Sequence, residues 1–166
     1  MKPSRPENEP TAVRPGSTEY EHLLAQLETA TQAGAGARLL FTGEADKAAK
    51  DALQALADRT AFHVHQVNLE TLMADRPAET QANLRETFDT APQDAILFFY
   101  NADRLLALDE KADDDALTPA DYLFRRMEAF NGIAILYAPT SEQARRARTA
   151  ADLFDAEVRF AGTEAA

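Results

Sequence analysis

No cysteine occurs anywhere in the chain, which removes disulfides, thiolate metal sites and cysteine nucleophiles together. No apolar run reaches the roughly 18 residues of a membrane-spanning helix, so none is expected. The sequence does not open on a basic-then-apolar leader, and a cytoplasmic address is the expectation. Basic residues are scarce: 17 Lys and Arg stand against 28 Asp and Glu, a net charge of −11. Phosphate contacts drive nucleic-acid affinity and need a field of the opposite sign. Neither a nucleic acid nor a membrane is therefore expected as a partner. There is no G-x-S-x-G, and only His22 lies outside the pair His63 and His65, so a serine triad is unsupported.

What is present describes a globular domain. The 166 residues, 45% of them apolar, suffice for one domain with a real core. Residues 1–17 (MKPSRPENEPTAVRPGS) hold four of the eight prolines and almost nothing apolar, and they read as a disordered tail. The core is expected over 18–161, with 162–166 as a short flexible C-terminus. Thr18 and Glu21 have capping-box spacing, and Tyr20, Leu23, Leu24 and Leu27 share one helical face. Gly34 and Gly36 punctuate that helix. Strands are then expected at 38–42, 62–67, 95–99, 133–137 and 157–160, and helices at 46–58, 79–90, from Thr118-Pro119 onward, and at 141–150. Strands alternating with helices indicate a mainly parallel sheet covered on both faces.

The blocks LLFTG, VNLETL, ETQANLRETFDTA, AILFFYNADRLL and LFRRMEAFNGIAILYA follow one another in an order and spacing that resemble the nucleotide-binding module of AAA+ ATPases, over about residues 20–160. The resemblance implies an α/β, P-loop NTPase-like three-layer sandwich with five mainly parallel strands and helices on both faces. The family's helical lid would follow the last strand, and the sequence stops at Ala166, so a core without that lid is the expectation.

The family's active positions map onto unexpected residues. A P-loop has the form G-x-x-x-x-G-K-S/T: glycines let backbone N–H groups converge on phosphate, lysine neutralises it, and the hydroxyl holds magnesium. The matching segment, residues 43–50, reads GEADKAAK. Gly43 survives, but Ala48 replaces the second glycine, Ala49 the lysine and Lys50 the hydroxyl residue. Glu44 and Asp46 bring carboxyl groups into the loop, and a like-charge contact at ~4 Å costs about 4 kcal/mol at an effective dielectric near 20. Lys47 and Lys50 would offset part of that. If any nucleotide binding persists, Gly43, Lys47, Lys50 and Asp103 are the residues for it.

The family's magnesium-ordering and water-polarising acids would close the strand AILFFYNADRLL, where Tyr100 and Asn101 stand instead. A neutral phenol is a poor metal ligand, and an asparagine orients water without accepting its proton. Tyr100 is either a half-buried aromatic capping the sheet edge or an anchor for a partner. After IAILYA the family has a polar sensing residue, and here Pro139 follows. Asp152 and Leu153 stand where its arginine fingers would, and Arg76 where threading ATPases carry a pore aromatic.

Three further groups are open to two readings each. His63 and His65 have the H-x-H spacing of a metal pair but no third ligand, and otherwise form part of a solvated strand face. The acidic run 108–116 (LDEKADDDA) lacks the glycine and closing glutamate of an EF-hand, and is a solvated loop or a weak divalent-ion binder. Arg145, Arg146 and Arg148 form an exposed helix face or meet an acidic partner or a neighbour's nucleotide. Neither a metal nor a magnesium site is expected, nor ATP or ADP as a cofactor. The leading functional expectation is a catalytically inactive AAA+-like interaction or scaffolding module, partnered by a protein such as an active AAA+ subunit or a larger complex. A nucleotide-binding regulator without hydrolysis, and an active ATPase with unorthodox residues, are the alternatives.

Overall fold

The computed structural model describes residues 11–108 and 117–160. Residues 1–10 of the expected tail, 109–116 of the acidic run, and the C-terminal stretch 162–166 lie outside them.

The short strand β1 (Thr11–Val13) leads through a turn into α1 (Thr18–Gln32). Then follow β2 (Ala37–Thr42), α2 (Asp46–Thr60) and β3 (His63–Asn68), and a 3₁₀ turn at Leu69–Leu72 before α3 (Pro77–Thr90). The chain continues through β4 (Ala95–Tyr100), α4 (Asp103–Ala107), α5 (Pro119–Ala129), β5 (Ile133–Ala138) and α6 (Ser141–Ala147). A 3₁₀ turn at Arg148–Leu153 brings it back to β6 (Ala156–Arg159). The strands form one sheet in the order β1-β6-β2-β5-β4-β3, and every pairing is parallel.

Strands β4 and β5 are almost wholly apolar because helices cover both sheet faces. Along β4, Ile96 and Phe98 join the core under α1 and α2, whereas Leu97 and Phe99 join the opposite core under α3, α5 and α6. The same alternation splits β5, with Ile135 and Tyr137 on the first face and Ala134 and Leu136 on the second. β3 is an edge strand, and its side chains are exposed or half-buried, His63 and His65 among the exposed ones.

Three expectations need correction. The sheet has six strands among the described residues, not five, and the additional one lies in the segment that reads as a tail. Val13 is the reason: it is 6% exposed, packed in the first core while β1 pairs with β6. A three-residue strand with one buried side chain leaves little periodicity to read. The cap of α1 is Ser17, whose hydroxyl accepts the Tyr20 N–H at 3.1 Å, so Thr18 is already the first helical residue. The helix after β5 ends at Ala147, because Ala150 leaves helical geometry (φ −106°, ψ 38°) in the tighter turn back to β6. Among the described residues no helix is long and apolar enough to cross a membrane.

Candidate functional site at the carboxyl ends of β2, β4 and β5

In an open parallel sheet, a crevice forms where neighbouring strands send their connections to opposite faces. Here β2 feeds α2 on the first face and its neighbour β5 feeds α6 on the second. The turn from β2 into α2 spans only residues 43–45. Gly43 is buried with φ +98°, and a Cβ built on it would sit 2.3 Å from the Phe160 carbonyl oxygen. The glycine is thus required by its left-handed backbone and by the close approach of the chain leaving β6.

The side chain that faces this turn is Tyr137, from β5. Its hydroxyl donates to Asp46 Oδ1 at 2.7 Å, accepts the Ala45 N–H at 3.4 Å, and lies 3.4 Å from the Gly43 carbonyl oxygen. Burial, and then the Asp46 carboxyl, push the phenol well above its ordinary value, so it is neutral at physiological pH. The Tyr137 ring stacks on Phe98 (centroids 5.7 Å apart, planes at 27°), and Phe98 stacks on Tyr100 (6.2 Å, 26°). These three rings wall a cleft of about 380 Å³, rimmed by Lys50, Gln66 and Gln143. Gln143 Oε1 is buried without a hydrogen-bond partner.

The other expected site residues are dispersed. Lys50, Tyr100 and Asn101 line the cleft with Asp46 and Pro139. Lys47 is exposed and pairs with Asp51 along α2 (3.1 Å), one turn on. Asp103 opens α4, exposed and outside the cleft lining. Tyr100 is half-buried against the first core. Asn101 takes the left-handed conformation (φ +58°), which asparagine tolerates better than most residues, and its amide donates to Asn68 Oδ1 at 3.1 Å. Arg76 stands exposed at the N-cap position of α3, with no capping hydrogen bond from its side chain, and pairs with Glu79.

The arginine cluster divides. Arg145 and Arg146 both reach Glu142 at 2.7 Å on the surface of α6. Arg148 instead turns inward, its Nε 2.9 Å and Nη2 2.5 Å from the two carboxylate oxygens of Glu157. Glu157 is 1% exposed, and it also accepts from Thr42 Oγ1 (2.8 Å) and Arg159 Nε (2.9 Å). Burial alone would raise this carboxyl; the hydrogen bonds from Arg148, Thr42 and Arg159 outweigh it and hold the group below its usual range. Among the described residues no three His, Asp or Glu side chains converge as metal ligands would.

Tyr137 and the Glu157 cluster escape a reading by motif. Their signals are faint but physical: a tyrosine one residue before the end of a buried strand, and an acid between Ala156 and Val158 in the segment AEVRF. Chemically, the cleft offers a lysine, amides and a neutral phenol, and its one acid, Asp46, already holds that phenol.

No curated protein sequence matches the chain. The family model described as "ATPase family associated with various cellular activities (AAA)" matches residues 51–161, beginning just past GEADKAAK. With the parallel P-loop NTPase-like sheet behind it, that match covers about two thirds of the sequence, and the chain belongs to the AAA family.

Proposed function

We propose that this chain is a catalytically inactive AAA module that acts through protein contacts, as a scaffold or as a non-hydrolysing subunit beside an active AAA protein. The observation that carries the reading is the Tyr137 hydroxyl, bonded to Asp46 and Ala45 in the turn where a phosphate would be cradled. A cradle needs several backbone N–H groups converging on an anion. This turn has three residues, one of its amides is engaged by Tyr137, and the carboxyl of Asp46 stands at its helix end. The position of an orienting magnesium ligand is held by Tyr100, and Asn101 is tied to Asn68. Gly43, the surviving motif residue, has a sufficient structural reason to be glycine.

Phosphate release at saturating ATP and magnesium tests the catalytic half. The expected rate equals the enzyme-free blank, and turnover that disappears in Lys50→Ala would overturn the proposal. The interaction half is tested by co-purification with an active AAA protein of the same host. Tyr100→Ala and the Arg145→Ala/Arg146→Ala pair are expected to weaken it; retention of full binding in both moves the interface elsewhere.

A further inference from the structure

Where α5 gives way to β5 the chain reads Phe130-Asn131-Gly132, with Asn131 exposed and Gly132 buried. We propose that Asn131 is a site of spontaneous covalent modification, losing its side-chain amide through a succinimide formed with Gly132. The step needs no enzyme and no reactant except water. The Gly132 nitrogen gives its proton to solvent base and attacks the side-chain carbonyl carbon of Asn131. A C–N bond forms there, and the side-chain nitrogen leaves as ammonia. Water then opens the ring at one of its two carbonyls, leaving aspartate or isoaspartate at position 131.

The fold itself puts glycine after this asparagine. A Cβ built on Gly132 would lie 2.4 Å from the Ala95 carbonyl oxygen and 2.8 Å from that of Gln93, so no side chain fits there. A residue without a Cβ leaves its nitrogen open to attack the neighbouring side chain. Among the described residues the Gly132 N–H donates no hydrogen bond, whereas its carbonyl accepts the Ala37 N–H at 3.0 Å. The Asn131 amide likewise has no hydrogen-bond partner among the described residues. Nucleophile and electrophile are both unengaged.

The other asparagines among the described residues differ on both counts. Asn68 Oδ1 accepts the Glu70 N–H and the Asn101 amide, each at 3.1 Å, and the Asn83 amide donates to the Leu72 carbonyl at 3.0 Å. Leucine follows Asn68 and Asn83, and alanine follows Asn101. A tied side chain must give up its hydrogen bond before it can bend back on its own main chain. Asn131 gives up nothing. The consequence is structural, because isoaspartate lengthens the main chain by one carbon directly before Gly132, whose carbonyl anchors the start of β2.

The test is incubation of the full native chain in heavy-oxygen water at neutral and at mildly alkaline pH. Digestion with trypsin then follows in ordinary water, so that any later modification carries no label. The peptide Met127–Arg145 holds Asn131 as its single asparagine and is read by mass spectrometry. Labelled conversion of amide to acid at Asn131 is expected, faster at the higher pH, with Asn68, Asn83 and Asn101 intact over the same period. Asn131→Gln is expected to abolish the conversion with melting unchanged, since glutamine must close a larger ring. An unmodified Asn131, equal loss at the other asparagines, or conversion persisting in Asn131→Gln would overturn the site. So would a rate that rises only in step with unfolding as urea is added, because the folded chain would then protect Asn131. The isoaspartate form, separated by its additional negative charge, is expected to melt below the unmodified chain, and an equal melting temperature would overturn the structural consequence.

Discussion

Glu157 shows how a single acid can be both buried and stabilising. Removing its charge as Glu157→Gln leaves Arg148 and Arg159 facing a neutral amide. Fully buried pairs lose about 3–5 kcal/mol when one partner goes. The guanidiniums here are 37% and 51% exposed, so about 2 kcal/mol is expected, read as a lower urea midpoint. The pH dependence has a definite sign. The folded carboxyl lies below its usual range, so between its folded and unfolded values the unfolded chain binds more protons. Its contribution is complete above the unfolded value of about 4.3 and is lost as pH falls through the folded one. Acid titration of stability is expected to be steeper in the native chain than in Glu157→Gln, and coincident curves would refute this role. Tyr137→Phe removes the bond to Asp46 and is expected to cost about 1–2 kcal/mol. It is not expected to create nucleotide binding, because the turn remains three residues long. A melting shift with ATP in Tyr137→Phe alone would show that the phenol by itself blocks the site.

Two elements test how the fold is terminated. Ser17→Ala deletes the cap of α1 and is expected to cost about 1 kcal/mol, with Thr18→Ala close to neutral. The reverse ranking would return the cap to Thr18. Val13→Ala is expected to cost about 2 kcal/mol if β1 belongs to the cooperative sheet; a silent substitution would detach that strand from the core. These elements also show what the residue pattern conveys. β4 and β5 were legible because an apolar run bounded by turn residues can only be buried on both faces. Thr118 before Pro119 marked α5 correctly, since its hydroxyl accepts the Asp121 N–H. β1 was not legible, because a short segment among prolines gains order only from a partner strand near the other end of the chain. The short helix α4 was missed for a related reason: five residues carry too little periodicity to separate from a loop.

At the scale of the whole molecule, the aromatic cleft keeps a second reading open to measurement. Lys50 and the unpartnered Gln143 oxygen would suit a nucleotide-binding regulator. A ligand that binds the folded state raises stability as RT ln(1 + [L]/Kd), about 2.7 kcal/mol at a hundredfold excess over Kd. Thermal melts with ATP or ADP, with and without magnesium, are expected to show no shift at millimolar nucleotide. A saturable rise would favour the regulator over the scaffold.

The sequence by itself determined the α/β class, the AAA-like order of blocks and which residues stand in GEADKAAK and at Tyr100-Asn101. Each of these follows from the identity and spacing of residues near one another in the chain. Only the tertiary structure decided what those residues touch. It placed Tyr137 against Asp46, 91 positions away, and Thr42 against Glu157, 115 positions away. It also turned Arg148 from the helix surface toward the buried carboxylate of Glu157. The reason is physical: adjacent parallel strands bring distant segments to one sheet end, and the burial that sets charge and hydrogen bonding there exists only after they pack.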